Sequence, residues 1–220
     1  MYVENQKKTA EALRGAGIIP VLVIENVDEG LRLCEALLEG GLKALEITYR
    51  TTAAPDVIRE AKKRFPEALL GAGTLLGVDQ LKQAFELGAS FGVAPGFNPA
   101  VVEAAAVGGY AFSPGVATPS EIEQAYAMGV RFMKFFPAEA LGGVKMLGAI
   151  TAPYRHLGIS FMPTGGVNPG NAGEYLSIPE VAAVGGTWLG KAADVKAGKW
   201  EQIARDAREA MELLARVRGG

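Results

Sequence analysis

The chain has 220 residues, 49% of them hydrophobic, which suits one large domain with ample material for a core. Its 22 basic and 24 acidic residues leave a formal charge of −2, against the clustered cationic excess that a nucleic-acid surface needs. No stretch approaches the roughly 18 apolar residues of a membrane span, and the single cysteine, Cys34, has no partner for an internal disulfide or a thiolate metal site. Residues 1–14 are charged and lack the apolar centre of a signal peptide, so a soluble, reducing, cytoplasmic protein is expected.

In chain order, a helix over residues 5–13 is expected first, within an N-terminal segment 1–16 that precedes the main fold. Short apolar runs then alternate with amphipathic stretches. The runs, read as strands, are 18–24, 44–48, 69–74, 91–94, 110–113, 131–136, 159–164 and 181–189; helices are expected over 27–39, 53–65, 78–87, 99–106, 119–128 and 200–217. Cys34 falls on the amphipathic pattern of 27–39 and reads as a small core residue. Gly40-Gly41, Gly88, Gly108-Gly109 and Gly129 close helices ahead of strands. Asn98 before Pro99 reads as a helix cap, and Thr118 three residues before Glu121 has capping-box spacing. Eight such βα units, with no low-complexity linker, fit a single-domain (β/α)8 TIM barrel over residues 1–220. The competitor is a doubly wound open sheet, but no G-x-G-x-x-G follows the first strand, where Ile24-Glu25-Asn26-Val27-Asp28 stands.

In a barrel of this kind the chemistry collects at the carboxyl ends of the strands, with alternate residues pointing inward. Strand parity over 44–48 sends Leu45 and Ile47 toward the helices, Glu46 and Thr48 into the interior, and leaves Arg50 at the rim. Over 131–136 the same parity turns Met133 and Phe135 outward and Phe132, Lys134 and Phe136 inward. Glu46 and Lys134 are thus expected to share one cavity. Burial disfavours the charged form of an amine, and a neutral amine in a dry pocket is a nucleophile toward carbonyl carbon, the chemistry of Schiff-base lysines. The plainer alternatives are a lysine that snorkels to the strand end and an ion pair that only fills the barrel. The latter gains little over apolar residues of the same size.

Gly71-Ala72-Gly73-Thr74 keeps side chains small near the cavity and leaves one hydroxyl at its mouth; Ala94-Pro95-Gly96 and Ser113-Pro114-Gly115 read as sharp strand exits. Thr164-Gly165-Gly166 and Gly185-Gly186-Thr187 are glycine-rich exits from the seventh and eighth strands, where many barrels hold a phosphate on backbone N–H groups. His156, the only histidine, is expected on the surface, and no histidine cluster or spaced carboxylate set points to a metal.

Taken together, Leu45-Glu46-Ile47-Thr48 with Arg50-Thr51, Gly71-Ala72-Gly73-Thr74, Pro95-Gly96, Pro114-Gly115, Lys134-Phe135-Phe136-Pro137-Ala138-Glu139 and Pro163-Thr164-Gly165-Gly166 resemble the 2-keto-3-deoxy-6-phosphogluconate (KDPG) and 4-hydroxy-2-oxoglutarate (KHG) aldolases over nearly the whole chain. The resemblance implies a class I, cofactor-free and metal-free aldolase on a (β/α)8 barrel, usually a homotrimer acting on a small 2-keto acid. It would make Lys134 the Schiff-base lysine and Glu46 the general acid/base. Arg50 and Thr74 match positions holding the pyruvate carboxylate, Pro95 lines that pocket, and Gly165, Gly166, Gly186 and Thr187 match the phosphate end, with Phe136 and Thr164 counted among the substrate-binding residues. Ala94 stands where a serine is common, and Thr187 where serine is common but with the hydroxyl kept. Two rivals share parts of the pattern: a phosphate-binding barrel isomerase or epimerase, which needs no lysine nucleophile, and a non-catalytic barrel serving as an oligomeric scaffold.

Overall fold

The computed structural model describes residues 2–219; Met1 and Gly220, the ends of the expected domain, lie outside the described residues. The elements run α1 (Tyr2–Ala16), β1 (Ile18–Leu22), α2 (Val27–Glu39), β2 (Ala44–Thr48), α3 (Ala54–Arg64), β3 (Leu69–Gly73), α4 (Val78–Glu86), β4 (Phe91–Val93) and α5 (Pro99–Gly108). They continue through β5 (Phe112–Ser113), β6 (Gly115–Val116), α6 (Pro119–Ala127), β7 (Phe132–Phe135), α7 (Gly143–Thr151) and a 3₁₀ turn over Ala152–Leu157. The chain then forms β8 (Ser160–Pro163), α8 (Ala172–Leu176), β9 (Val184–Gly186), α9 (Ala192–Lys196) and α10 (Trp200–Arg218). No helix among the described residues is long and apolar enough to cross a membrane.

The expected cap at Asn98 forms, its side chain accepting from Ala100 N–H, and Asn26 adds another, its Oδ1 accepting from Glu29 N–H at the start of α2. Thr118 and Glu121 complete the capping box of α6, with the Glu121 carboxylate accepting from Thr118 N–H.

All strand pairs are parallel, and the sheet curls on itself. A six-stranded portion has the order β5-β4-β3-β2-β1-β9, and a three-stranded portion has the order β6-β7-β8. This differs from the eight strands expected. The expected strand 110–113 starts later and is split by Pro114, which has no N–H for a ladder. On one side of that proline Ser113 O accepts from Ala94 N–H (3.1 Å); Pro114 O itself accepts from Lys134 N–H (2.9 Å). The expected strand 181–189 shortens to Val184–Gly186, preceded by an isolated bridge between Val181 and Phe161; a second bridge joins Gly185 to Thr164.

Two apolar layers follow from strand parity. Leu45, Ile47, Met133 and Phe135 pack outward with the helices, as expected. Facing inward, Ile19, Ala44, Phe91, Val93, Phe132, Met162, Ala182 and Ala183 form a second cluster, closed by Ala10, Leu13 and Ala16 of α1. Most of these residues lie at the start of their strands, so α1 seals the amino-terminal end of the sheet. Gln6 stitches it there: its Nε2 donates to Phe112 O (2.8 Å) and its Oε1 accepts from Phe132 N–H (3.2 Å). The opposite end is left for chemistry.

Candidate active site

At the carboxyl ends of the strands the inward positions turn polar. Among the described residues, five of the seven that are buried and polar or charged are Glu46, Thr48, Ser113, Lys134 and Thr164, all inward by parity. Lys134 Nζ lies 3.2 Å from Glu46 Oε1, with side chains 4% and 0% exposed, so the two inward side chains meet in the interior. Glu46 Oε2 is buried and has no hydrogen-bond partner among the described residues. Glycine at 73 is required by this arrangement, because a Cβ there would fall on the Glu46 carboxylate. Phe136 extends the wall, its ring centroid 5.8 Å from Lys134 Nζ and within cation–π range.

Thr48 Oγ1 donates to Leu22 O (2.8 Å), tying β2 to β1 beside Glu46. At the rim, exposed Arg50 donates through Nε to Thr74 Oγ1 (3.0 Å). Thr74 has φ +59°, and it is the one non-glycine residue with positive φ among those described. A β-branched residue there is strained by about 1–3 kcal/mol, the kind of local exception that gathers at functional sites. Pro95 is half-buried at the next exit, and its carbonyl lies so near Gly115 that a Cβ at 115 would collide with it.

The glycine-rich exits lie at the same end. Gly165 and Gly166 have φ +96° and +84°. A Cβ at Gly165 would stand 3.1 Å from the Phe136 ring, and one at Gly166 would strike the Glu139 side chain. Asn168 Nδ2 and Asn171 Nδ2 both donate to Gly166 O (3.0 and 3.2 Å), turning that carbonyl aside. The N–H groups of Gly166 and Val167 make no hydrogen bond to another described residue. Buried Thr164 sits against Gly185, where a Cβ would meet its side chain; Gly186 is overlaid by the Trp188 ring, and Thr187 is exposed. The residues expected to bind or act on substrate therefore lie at or just beyond the carboxyl ends of the strands. His156 is exposed in the 3₁₀ turn, and no group of three or more metal-ligating side chains occurs among the described residues.

Two features escape the sequence reading. Ser113 is 1% exposed with its hydroxyl unpartnered, on the strand segment next to that of Lys134; parity applied to the fifth strand would have marked it, but its Pro-Gly context reads only as a turn. Tyr175, on α8, donates from Oη to Glu139 Oε1 at 2.5 Å, a pairing across 36 positions with no sequence signal. Burial, and then the Glu139 carboxylate, push the Tyr175 phenol well above its ordinary range, so it stays a donor.

Comparison with known proteins agrees with this geometry. The family model "KDPG and KHG aldolase" matches residues 9–206, a span that includes every site residue named above. The KHG/KDPG aldolase of Escherichia coli K12 is 40% identical over 211 residues, covering 96% of this chain and 98% of that protein. The KDPG aldolase of Legionella pneumophila, solved with pyruvate captured at low pH as a covalent carbinolamine intermediate, superposes with a TM-score of 0.86 at 37% identity over 90% of this chain and 96% of its own. The Zymomonas mobilis ZM4 enzyme, solved with 3-phosphoglycerate, gives a TM-score of 0.83 at 36% identity over 92% and 94%. With a buried lysine–glutamate pair at the mouth of a curled parallel sheet and a family match across nine-tenths of its length, the chain belongs to the KDPG and KHG aldolase family and is an aldolase, a carbon–carbon lyase.

Proposed function

We propose that the chain cleaves 2-keto-3-deoxy-6-phosphogluconate to pyruvate and glyceraldehyde 3-phosphate through a Schiff base on Lys134, and 4-hydroxy-2-oxoglutarate to pyruvate and glyoxylate by the same route. The observation that carries this reading is the buried Lys134–Glu46 contact at 3.2 Å, with the second carboxylate oxygen unengaged. The substrate's carboxylate would lie against Arg50 and Thr74, its chain along Pro95 and Phe136, and its phosphate against Thr164, Gly165, Gly166, Gly186 and Thr187. The strained Thr74, the free N–H groups of Gly166 and Val167, and the phosphorylated ligand of the Zymomonas enzyme support that orientation.

The steps then follow from the groups present. The Lys134 amine adds to the 2-keto carbon, and loss of water from the carbinolamine leaves an iminium. Glu46 Oε2 takes the C4 hydroxyl proton as C4 becomes a carbonyl. The C3–C4 bonding pair passes to C3 and is held as an enamine, because the iminium accepts it. The aldehyde leaves, protonated Glu46 returns its proton to C3, and water hydrolyses the iminium to pyruvate and free Lys134. The captured carbinolamine of the Legionella relative fits the first of these steps. The isomerase and scaffold readings are not favoured, since neither uses a buried amine beside a carboxylate.

The same proposal includes the finer architecture. The bridges Phe161–Val181 and Thr164–Gly185 from β8 to the β9 region, and the bent β5–Pro114–β6 segment, support closure of the sheet as a single-domain (β/α)8 barrel. A cytoplasmic homotrimer completes the reading, supported by the family alone, and light scattering of the purified protein checks the trimer.

Borohydride reduction in the presence of pyruvate, followed by peptide mass spectrometry, tests the chemistry. The expected result is a stable adduct on Lys134, absent from Lys134→Ala, which also loses turnover. Turnover retained in Lys134→Ala would overturn the mechanism.

A further inference from the structure

We infer that Glu139 and Tyr175 are positioning residues that hold the Gly165–Gly166 turn in an anion-receiving shape, and so set the preference for phosphorylated over unphosphorylated substrate. The inference rests on the aldolase reading above and assigns a task to a contact that the chemistry there does not use.

The contact sits where two segments run side by side beyond the ends of their strands. Thr164 N–H donates to Phe135 O (2.9 Å), Ala138 N–H to Thr164 O (2.8 Å) and Glu139 N–H to Gly165 O (3.0 Å). The residues just after the lysine strand therefore form the bed on which the glycine turn lies. Gly166 packs directly on the aliphatic part of Glu139, so closely that any Cβ at 166 would overlap it. Whatever fixes the Glu139 side chain also fixes the position of Gly166.

Tyr175 is what fixes it. Its ring is wholly buried, and its hydroxyl reaches the Glu139 carboxylate from α8, the helix that follows the turn. One hydrogen bond thus closes a loop from β7, through Glu139, over Gly166, and back along 167–175. Inside that loop Asn168 and Asn171 hold the Gly166 carbonyl, while the N–H groups of Gly166 and Val167 have no partner among the described residues and remain available to an anion. Two adjacent glycines at positive φ have little stiffness of their own. Without the Glu139–Tyr175 closure the turn can relax, and its donors lose the fixed geometry that makes a backbone anion site effective. Lys134 and Glu46 are held by their own strands, and the keto-acid end does not depend on the latch.

Tyr175→Phe removes one oxygen and keeps the ring in place; Glu139→Gln keeps the aliphatic bed for Gly166 while removing the charge. Both variants and the wild type are assayed on KDPG and on 4-hydroxy-2-oxoglutarate, with inorganic phosphate as a competitive inhibitor of KDPG cleavage. The expected result for Tyr175→Phe is a rise of roughly tenfold in KM for KDPG and in the inhibition constant for phosphate, the loss of one charge-assisted hydrogen bond. Its kcat on KDPG, and both constants on the unphosphorylated substrate, should stay within about twofold. Glu139→Gln should show the same split in milder form, because an amide oxygen can still accept from the phenol. An equal fall on both substrates, or no change on either, in a protein that unfolds at the wild-type temperature would overturn the positioning role. If Tyr175→Phe failed to fold, an unchanged phosphate inhibition constant in Glu139→Gln would overturn it instead. Failure of the aldolase reading looks different: the wild type itself would cleave neither substrate and trap no pyruvate.

Discussion

The Lys134–Glu46 pair makes a quantitative prediction about stability that is separate from catalysis. At 3.2 Å, two unit charges in a medium of effective dielectric about 20 attract by roughly 5 kcal/mol. Burying them costs several kcal/mol for each ion, so the intact pair should be close to neutral against an apolar pair of similar volume. Removing one member is different, because it strands the other without the opposite charge it now faces. Lys134→Met and Glu46→Leu should each lose about 3–5 kcal/mol, whereas the double variant should lie within about 1 kcal/mol of wild type or above it. Urea unfolding followed by the fluorescence of Trp188 and Trp200, at one fixed protein concentration, measures all four corners of the cycle. If the two single losses simply added in the double variant, to within about 0.5 kcal/mol, the side chains would not be coupled and the site as described would be wrong. The double variant should be catalytically dead, which separates what the pair does for the fold from what it does for the reaction.

Gly73→Ala tests the same site from the neighbouring strand. The new methyl would occupy the place of the Glu46 carboxylate, so kcat should fall by about 10²–10⁴, the usual range for losing a positioned acid/base, while pyruvate is still trapped on Lys134. Turnover within twofold of wild type would show that Glu46 is not held where the geometry has it. A further prediction concerns alkali. Burial pushes the Cys34 thiol from 9.0 up to about 12 and the Tyr49 phenol from 10.0 up to about 12, and raises Tyr2 and Tyr175 further still. Each group stays protonated in the fold after it has begun to ionise in the unfolded chain, so its contribution is complete below pH 9 and is lost as pH climbs toward 12. The melting temperature should therefore fall steadily between pH 9 and 12, and a flat profile across that window would contradict the burial of these groups.

Much of this site was legible in the sequence because strand parity is a rigid rule. Once 44–48 and 131–136 were read as strands with apolar residues facing the helices, Glu46 and Lys134 had only one side left to occupy. The strands and helices with clear start and stop signals, such as Val27–Glu39 behind Asn26 and Ala44–Thr48, came out with the expected bounds. The fifth strand did not, because its inward serine adjoins a proline that reads as a turn, whereas in the fold that proline is a bend through which the chain passes from one neighbour to the other. The last strand was overextended for a related reason: Val184 to Leu189 has apolar content enough for a strand, but Gly186 lies beneath Trp188 and the ladder stops there. Tyr175 and Glu139 were beyond reach altogether, since nothing local in either segment encodes a contact that only the closed turn creates.

The distribution of exceptions across the molecule argues for function without help from any relative. At the amino-terminal end of the sheet apolar residues interlock beneath α1, and the buried Gln6 side chain both donates and accepts; the exceptions on that side are the buried Tyr2 hydroxyl and Glu180 Oε2, which have no hydrogen-bond partner among the described residues. The carboxyl end gathers most of the costly ones: a buried ion pair, an unengaged carboxylate oxygen, an unpartnered serine hydroxyl and a threonine at positive φ, beside two successive glycines at positive φ. The strained threonine and each unsatisfied buried group cost on the order of 1–3 kcal/mol, so together they rival a domain's whole net stability of about 5–15 kcal/mol. Scattered evenly, such defects would mark a poor fold. Gathered mostly around one buried ion pair, they fit a cavity whose polar groups a ligand completes, and a 2-keto acid with an anion at each end would offer the carbonyl, hydroxyl and charges that these groups lack.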